Sequence, residues 1–423
     1  MEKLAIHGGK PARSKPLPPN YPGAVVMGDE EAQAAAHVIT SQSPFRYYGP
    51  EVNYMVKALE DQMSNDLGIP YVLGVSSCTA GLVVALKALG IGYGDKVIVP
   101  ANTFIATAGA VVCSNAVPVF VDVDDSLNMD PDDLERVMDD EVKAIIAVPI
   151  LGNPCDMQRI MKFAEKYNIY VIEDVAQSCG IKNNGRFAGT IGHIGVYSFQ
   201  MNKIITTGEG GAVVTRSAEI FERAVRYHDQ GMFRDKQRFN IHFSDEDHAI
   251  VGQNYRMSEI TGAVALKQWG KLDEILSSMK RHYNKISQAL SSELPGLQFR
   301  KVTDPLGDIG SNLGMILPTQ DIAEQFTNAL NAENINTNIL YNGKPIYMVP
   351  QLFHQRTADK NNFPYDYPFK HPVKYTEDMC PRAVDLIART VYLPVSPVLK
   401  EQDVEEIIAG IIKVYKGVMG GRG

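Results

Sequence analysis

Short apolar stretches alternate with helical patterns between residues 79 and 199, and this alternation constrains the fold most strongly. The predicted strands are 96–99, 117–121, 144–149, 169–173 and 195–199. The predicted helices between them are 79–89, 104–114, one starting at Pro131 with Asp130 as its cap, and 156–167. Strands that alternate with helices pair in parallel, with helices on both faces of the sheet. The sequence therefore predicts an α/β chain built on a mainly parallel sheet.

The regions outside this core are less regular. Further helices are predicted at 28–41, 51–67, 258–276 continuing into 279–290, and 401–418, with a strand near 297–301. A charged segment, 223–251, reads as a long loop, and 341–379 is polar and rich in proline. After Pro295 the regular helical pattern gives way to a short strand and a polar segment rich in proline. Because of this change, and because a chain of 423 residues is long for one domain, we predict two domains, 1–275 and 276–423.

Lys203 is the residue with the clearest chemical potential. It follows the β-prone stretch 196–199 and lies in a polar turn that is rich in glycine before a second apolar stretch, 212–215. A lysine that is desolvated in such a turn has a lowered pKa and a nucleophilic amine, which is the requirement for a Schiff base with a carbonyl compound or pyridoxal phosphate. A surface lysine in a loop is the alternative, and the residues upstream decide against it.

Those upstream residues place a carboxylate at the end of a strand. Asp174 ends the stretch 169–174, and ligands of open α/β sheets bind at the carboxyl ends of strands. A carboxylate there could keep a pyridinium nitrogen protonated, whereas the alternative role is a helix cap. Gln177 lies one helical turn further on, and Ser198 lies near the end of the strand before Lys203, where it could donate to a phosphate.

A second anion-binding feature precedes these motifs. The hydroxyl-rich run 76–79 opens a predicted helix whose Leu82, Leu86 and Leu89 share one face. Free N–H groups and the helix dipole attract anions at such an end, although simple Ser/Thr capping gives the same pattern.

Several sequence motifs, in the same order along the chain, resemble those of the DegT/StrS-type sugar aminotransferases of the aspartate aminotransferase superfamily. They run from about Leu4 to about Val414 and comprise 4–11 (LAIHGGKP), 76–80 (SSCTA), 94–107 (GDKVIVPANTFIAT), 171–177 (VIEDVAQ), 197–199 (YSF), Lys203, 207–215 (TGEGGAVVT) and 254–259 (NYRMSE). The resemblance implies the type I aminotransferase fold. This fold has a large domain with a mainly parallel seven-stranded sheet between helices, plus a smaller α+β C-terminal domain.

The resemblance also implies pyridoxal 5'-phosphate as cofactor and a role for each matched residue. Lys203 would bind the cofactor covalently and shuttle the proton, Asp174 would hold the ring nitrogen, and Gln177 would lie by the ring hydroxyl. Three residues would bind the phosphate: Ser198, Thr79 and the backbone at Cys78. Phe104 would stack on the ring. Asn254 would reach the phosphate of a neighbouring subunit, which implies a homodimer with shared active sites.

Two positions depart from the family pattern. Cys78 stands where the family often has glycine, and its side chain is small enough to leave room for a phosphate. Pro149 stands where the family commonly has a histidine, so a substrate contact from that histidine is missing here.

The acceptor is predicted less sharply than the cofactor. Candidate substrate residues are Arg46, Tyr47 and His228. The guanidinium of Arg46 could bind a carboxylate or phosphate through two hydrogen bonds. The motifs 45–47 and 208–211 are similar to those of a subgroup that aminates an eight-carbon sugar acid. An ion pair is an equally open role for Arg46. We expect L-glutamate or L-glutamine as donor, and a ketosugar, an aldehydo sugar acid or a keto-cyclitol as acceptor.

Other function classes fit less well. A net charge of −8 gives no basic field for nucleic acid, and the longest apolar region, 97–123, is interrupted by polar residues and prolines, so no membrane span is expected. Five cysteines at scattered spacing, together with the lack of an N-terminal signal, predict reduced thiols in the cytoplasm. Neither the acidic run 121–133 nor His242 with His248 has standard metal-site spacing, so no metal site is expected.

Two alternatives to an aminotransferase stay open at this point. One is a cofactor-carrying regulatory protein without turnover. The other is the sugar dehydratase branch of the same family, in which histidine replaces the lysine, so Lys203 argues against it.

Overall fold

A seven-stranded sheet forms the centre of the computed structural model, which describes residues 2–420. Its strands are β1 (Tyr71–Val75), β2 (Lys96–Pro100), β3 (Val117–Val121), β4 (Val142–Ala147), β5 (Tyr170–Asp174), β8 (Ile194–Ser198) and β9 (Gly211–Thr215). A small hairpin, β6 (Lys182–Asn183) with β7 (Arg186–Phe187), lies between β5 and β8 in the chain. The spatial order is β1-β9-β8-β5-β4-β2-β3, and β9 alone runs against its neighbours. The predicted mainly parallel sheet is therefore confirmed.

Helices cover both faces of this sheet. They are α1 (Asp29–Thr40), α2 (Met55–Leu67), α3 (Cys78–Ala88), α4 (Ile105–Cys113), α5 (Leu134–Val137), α6 (Met157–Tyr167), α7 (Ala218–His228), α8 (Asp245–His248), α9 (Glu259–Gly270) and α10 (Leu272–Glu293). The strands are buried along nearly their whole length, as expected for a sheet covered on both sides.

A second, smaller sheet follows α10. It has four antiparallel strands in the order β10-β11-β13-β12: β10 (Gln298–Phe299), β11 (Asn312–Ile316), β12 (Asn338–Ile339) and β13 (Thr390–Pro394). Its helices are α11 (Gln320–Ala332), α12 (Pro350–Phe353), α13 (Pro381–Arg389) and α14 (Glu401–Gly420). The chain thus has the type I aminotransferase fold, with a large sheet and a smaller α+β part. Within residues 2–420, none of the helices combines the length and apolar character needed to cross a lipid bilayer.

The packing crosses the predicted boundary at residue 275, and that boundary stays a proposal. Ile275 and Met279 of α10 belong to a core cluster of the large sheet, whereas Ile286 and Leu290 belong to the core of the small sheet. Leu4 also packs in the core of the small sheet, although the N-terminal segment was predicted with the large domain.

Three local predictions were wrong. The helix expected from Pro131 begins only at Leu134, because the Asp133 carboxylate accepts the amide of Asp122 and holds the chain in a turn. The segment predicted as a loop from residue 223 continues as α7 to His228, because its buried face packs on the large sheet. The helix predicted through 258–276 breaks at Lys271, where α9 ends and α10 begins.

Candidate active site

A cavity of about 530 Å³ opens at the carboxyl ends of the parallel strands. This edge is where open α/β sheets bind their ligands. The cavity brings together seven residues that the sequence predicted as catalytic or cofactor-binding: Cys78, Thr79, Phe104, Asp174, Gln177, Ser198 and Lys203.

Asp174 is the buried carboxylate of this cavity. Its oxygens accept the Thr107 hydroxyl at 2.8 Å and the Ala176 amide at 3.2 Å, and the Cys78 thiol lies 3.8 Å away. Burial raises the pKa of Asp174, and the Thr107 hydrogen bond opposes this shift in part. A carboxylate in this environment is stabilised by a cationic partner.

Strand alternation separates Asp174 from its neighbour. Glu173 points to the opposite face of β5, where its carboxylate accepts the amides of Gly189, Ile191 and Gly192 at 2.6–2.8 Å. Glu173 therefore has a structural role, and Asp174 is the residue that faces the ligand space.

Lys203 faces the same cavity from the turn between β8 and β9. Burial lowers its pKa, and the negative charge of Asp174 compensates only in part. Within residues 2–420 its ammonium makes no ion pair, so the amine remains available for chemistry. The turn is closed by the Thr206 hydroxyl, which donates to the Phe199 carbonyl at 3.1 Å and accepts the Gly208 amide at 2.9 Å.

The N-terminus of α3 forms another wall of the cavity. Ser77 caps this helix by accepting the Ala80 amide at 3.1 Å, so the hydroxyl-rich start predicted from the sequence is a helix cap. The first glycine of β9, Gly211, lies so close that a Cβ there would stand 2.8 Å from the Cys78 nitrogen. Lack of a side chain at Gly211 therefore allows the helix end to approach the sheet beside Ser198.

The C-terminal part of the chain completes the cavity with residues that the sequence prediction missed: Ser311, Asn312 and Tyr341. The Gln177 amide donates to the Tyr341 hydroxyl at 3.4 Å, so this contact joins the two parts of the chain. Tyr341 has a left-handed backbone (φ 50°), which is uncommon for a non-glycine residue and concentrates at functional sites. The sequence prediction also missed Thr107, which donates a hydrogen bond to Asp174. Thr107 lies one helical turn after Phe104, at the end of the family motif 94–107.

The three candidate substrate residues lie outside this cavity. Arg46 is buried and pairs with Glu60 at 2.8 Å, and its guanidinium also donates to the Gly74 carbonyl. Tyr47 packs against the Arg46 guanidinium, 4.8 Å from its ring centre. Burial lowers the pKa of His228 to about 3, so this side chain is neutral. Of the two roles considered for Arg46, the structure shows the ion pair, because the buried carboxylate of Glu60 requires a cationic partner.

Asn254 is exposed and also lies away from the cavity of its own chain. Its backbone forms a bridge to Asp229, and its side-chain oxygen lies 3.5 Å from the Arg256 amide. The free side of Asn254 therefore faces outward from the chain.

Comparison with known proteins assigns this architecture and site to one family. Residues 26–412 match the DegT/DnrJ/EryC1/StrS aminotransferase family. A GDP-perosamine synthase from Escherichia coli O157:H7 is 32% identical over 364 residues, which cover 86% of this chain and 90% of that protein. An L-glutamine:2-deoxy-scyllo-inosose aminotransferase from Streptomyces kanamyceticus is 32% identical over 340 residues, which cover 72% of this chain and 78% of that protein.

A solved structure agrees with these matches. The X-ray structure of an aminotransferase from Psychrobacter cryohalolentis superposes with a TM-score of 0.80 at 27% identity, and the match covers 96% of this chain and 100% of that one. Family match, sequence relatives and fold coincide over nearly the whole chain. This protein therefore belongs to the DegT/DnrJ/EryC1/StrS aminotransferase family and is a sugar aminotransferase by class.

Proposed function

We propose that this protein uses pyridoxal 5'-phosphate to move an amino group from L-glutamate or L-glutamine to a keto- or aldehydo-sugar. One observation carries the proposal: Lys203 and Asp174 face the same cavity, with the N-terminus of α3 as its third wall. An amine with a lowered pKa, a buried carboxylate and an anion-binding helix end are the three features that this cofactor requires.

The residues present fit this cofactor. Asp174 is only 4% exposed and accepts hydrogen bonds from neutral donors, so a protonated ring nitrogen would supply a cationic hydrogen-bond donor. Ser198 and Thr79, with the backbone at Cys78, would hold the phosphate at the end of α3. Gln177 would lie at the ring hydroxyl, and the exposed ring of Phe104 would stack on the cofactor.

When bound, this cofactor supplies an electron sink that stabilises negative charge on the carbon next to the amino group. Nζ of Lys203 can accept a proton and return it, because its lowered pKa leaves a larger fraction of neutral amine near pH 7. Asp174 would keep the ring nitrogen protonated by its negative charge. Thr107 fixes the orientation of that carboxylate.

The cavity lining supports a hydroxyl-rich acceptor. Besides the residues already assigned, it contains amide and hydroxyl side chains: Asn20, Gln200, Asn202, Ser311 and Asn312. Groups of this kind hydrogen-bond to sugar hydroxyls. The GDP-perosamine synthase relative supports a nucleotide-linked ketosugar as the acceptor. The proposed acceptors also include sugar acids, such as an oxidised 3-deoxy-octulosonate, which is an eight-carbon sugar acid.

A keto-cyclitol is the second candidate acceptor. It is favoured by the relative named for 2-deoxy-scyllo-inosose, which matches 72% of this chain at the same identity as the perosamine relative. A cyclitol and a ketosugar present similar rings of hydroxyls next to a ketone, so the same amide-rich lining suits both.

We further propose that two copies of the chain share their active sites. Asn254 is exposed, stands outside the cavity of its own chain and follows Lys203 by about 50 residues. The family resemblance gives this position a contact with the phosphate in the neighbouring subunit. A homodimer would bring the outward-facing Asn254 to the partner's cavity.

The decisive experiment compares wild type with Lys203→Ala. After incubation with pyridoxal phosphate and reduction with borohydride, intact-mass measurement should show a cofactor adduct only in wild type. Lys267→Ala, an exposed lysine on α9, is the matched control and should keep the adduct. Wild type mixed with L-glutamate should form 2-oxoglutarate, and acceptors are then ranked in this assay. An adduct that persists on Lys203→Ala would overturn the assignment.

A further inference from the structure

A buried amide lies directly behind the loop that carries Lys203. Gln268 of α9 is completely buried, and its Oε1 accepts the backbone N–H of Thr206 at 3.2 Å. Its Nε2 donates to Oε1 of Glu31 at 2.9 Å. Because a carboxylate can only accept hydrogen bonds, Glu31 fixes which end of the Gln268 amide faces Thr206.

Glu31 is itself held in place from two sides. The Lys271 ammonium bonds to Oε1 of Glu31 at 2.6 Å, and the Gly28 amide donates to Oε2 at 2.9 Å. The hydrogen bonds thus run without a break from the start of α1 through Gln268 to the Lys203 loop. Chains of this kind strengthen one another in a buried environment.

The N-terminal segment packs against the same stretch of the loop. The Gly23 amide donates to the Lys203 carbonyl at 3.3 Å. A Cβ at Gly23 would stand 2.8 Å from both the Thr206 nitrogen and the Ile205 Cα, and 2.7 Å from Oε1 of Gln268. The backbone from Lys203 to Thr206 is therefore held on both sides, by Gly23 and by Gln268.

We propose that Gln268 is a positioning residue for Lys203, acting through the backbone of Thr206. Gln268 is not among the residues that line the cavity. Its amide holds the turn in place, so that the Lys203 side chain stays in the cavity that Cys78 and Asp174 also line. This role rests on the proposed function of Lys203 as the cofactor-binding lysine.

Gln268→Met tests this role because it keeps the side-chain length and removes both hydrogen bonds. Lys271→Met is the matched control: it loosens Glu31 and breaks the bond to the Val26 carbonyl, but leaves the Gln268–Thr206 bond in place. Amide hydrogen exchange is measured on cofactor-free protein. Exchange across residues 199–208 should become about fivefold faster in Gln268→Met, the size expected for one lost hydrogen bond, and change less in Lys271→Met, which keeps that bond.

The second readout is the pH dependence of the rate at which each protein captures pyridoxal phosphate. A loosened turn lets solvent reach Lys203, so the midpoint of this rate should move to higher pH in Gln268→Met and move less in Lys271→Met. Equal loop exchange and equal midpoints in the two variants, with both less stable to heat, would overturn the proposal and leave Gln268 a purely structural residue. If wild type captured no cofactor, the proposed function would fail, whereas the exchange measurement would still decide whether Gln268 holds the loop.

Discussion

The hydroxyl of Thr107 donates a 2.8 Å hydrogen bond to Oδ2 of Asp174. Thr107 is itself 2.7 Å from the Thr103 hydroxyl, so two buried hydroxyls lead from α4 to the carboxylate. This contact stabilises the ionised form of Asp174 against the effect of burial, which raises its pKa. Thr107 is therefore a determinant of the charge on which the proposed chemistry depends.

Replacement of Thr107 by Val should lower turnover in the glutamate half-reaction by about 10- to 100-fold, because hydrogen bonds to charged groups are worth about 1.5–3 kcal/mol. Without this bond the pKa of Asp174 rises further, so the acidic limb of the pH–rate profile should move to higher pH. Thr103→Val, which removes only the outer hydroxyl, serves as the control and should have a smaller effect. An acidic limb that stays in place in Thr107→Val would contradict this role.

Asp174→Asn should make the cofactor-free protein more stable while nearly abolishing turnover. The folded-state pKa of Asp174 lies above its usual value, so its protonated form favours folding and this contribution is lost as pH rises through the folded pKa. At neutral pH the wild type therefore buries an unfavourable charge that Asn removes, and we expect a higher Tm for the cofactor-free Asp174→Asn protein.

The stability comparison has an internal check. The difference between wild type and Asp174→Asn should vanish in acid, where Asp174 is protonated in both folded and unfolded chains. Bound cofactor should reverse the order at neutral pH, since only the carboxylate pairs with a ring cation. A wild type that is more stable than Asp174→Asn without cofactor would show that the carboxylate is satisfied by the protein alone.

Arg46→Met should damage stability rather than acceptor recognition. Removing one partner of a buried ion pair costs about 3–5 kcal/mol, and the second cation at Glu60, Arg238 at 2.5 Å, should keep the loss near the lower end. Thermal unfolding measures this loss. Steady-state kinetics should show the KM values for donor and acceptor changed by the same factor, and a rise in the acceptor KM alone would restore Arg46 as a substrate residue.

Mixing Lys203→Ala with Asn254→Ala protein tests the shared active site. Each variant alone should be nearly inactive, because every site in its dimer lacks one of the two groups. After subunit exchange, one of the two sites in each hybrid is intact, so activity should recover toward a quarter of wild type when exchange is random. Mass spectrometry of the intact assembly confirms the exchange, and proven hybrids without recovered activity would argue against a shared site.

The sequence alone identified the cavity residues that follow strand ends and helix starts. Asp174 and Ser198 end apolar strands, and Cys78 with Thr79 opens an amphipathic helix, so their local patterns fix where they lie at the sheet edge. Parallel strands align their carboxyl ends, and this geometry brings residues far apart in the chain into one cavity. The motifs that resemble the family implied the role of Lys203. The alternation of strands and helices predicted the large sheet.

Only the tertiary structure decided which polar residues meet the cavity from elsewhere. Tyr341 lies in a segment without periodicity, and Thr107 resembles any helical threonine until its hydroxyl is placed beside Asp174 at the end of β5. The positive charge of Arg46 suited an anionic substrate, but in the structure Arg46 forms an ion pair with the buried Glu60. Local pattern sets secondary structure and burial, whereas the partner of a long polar side chain depends on which elements pack together, and that is fixed only when the whole core forms.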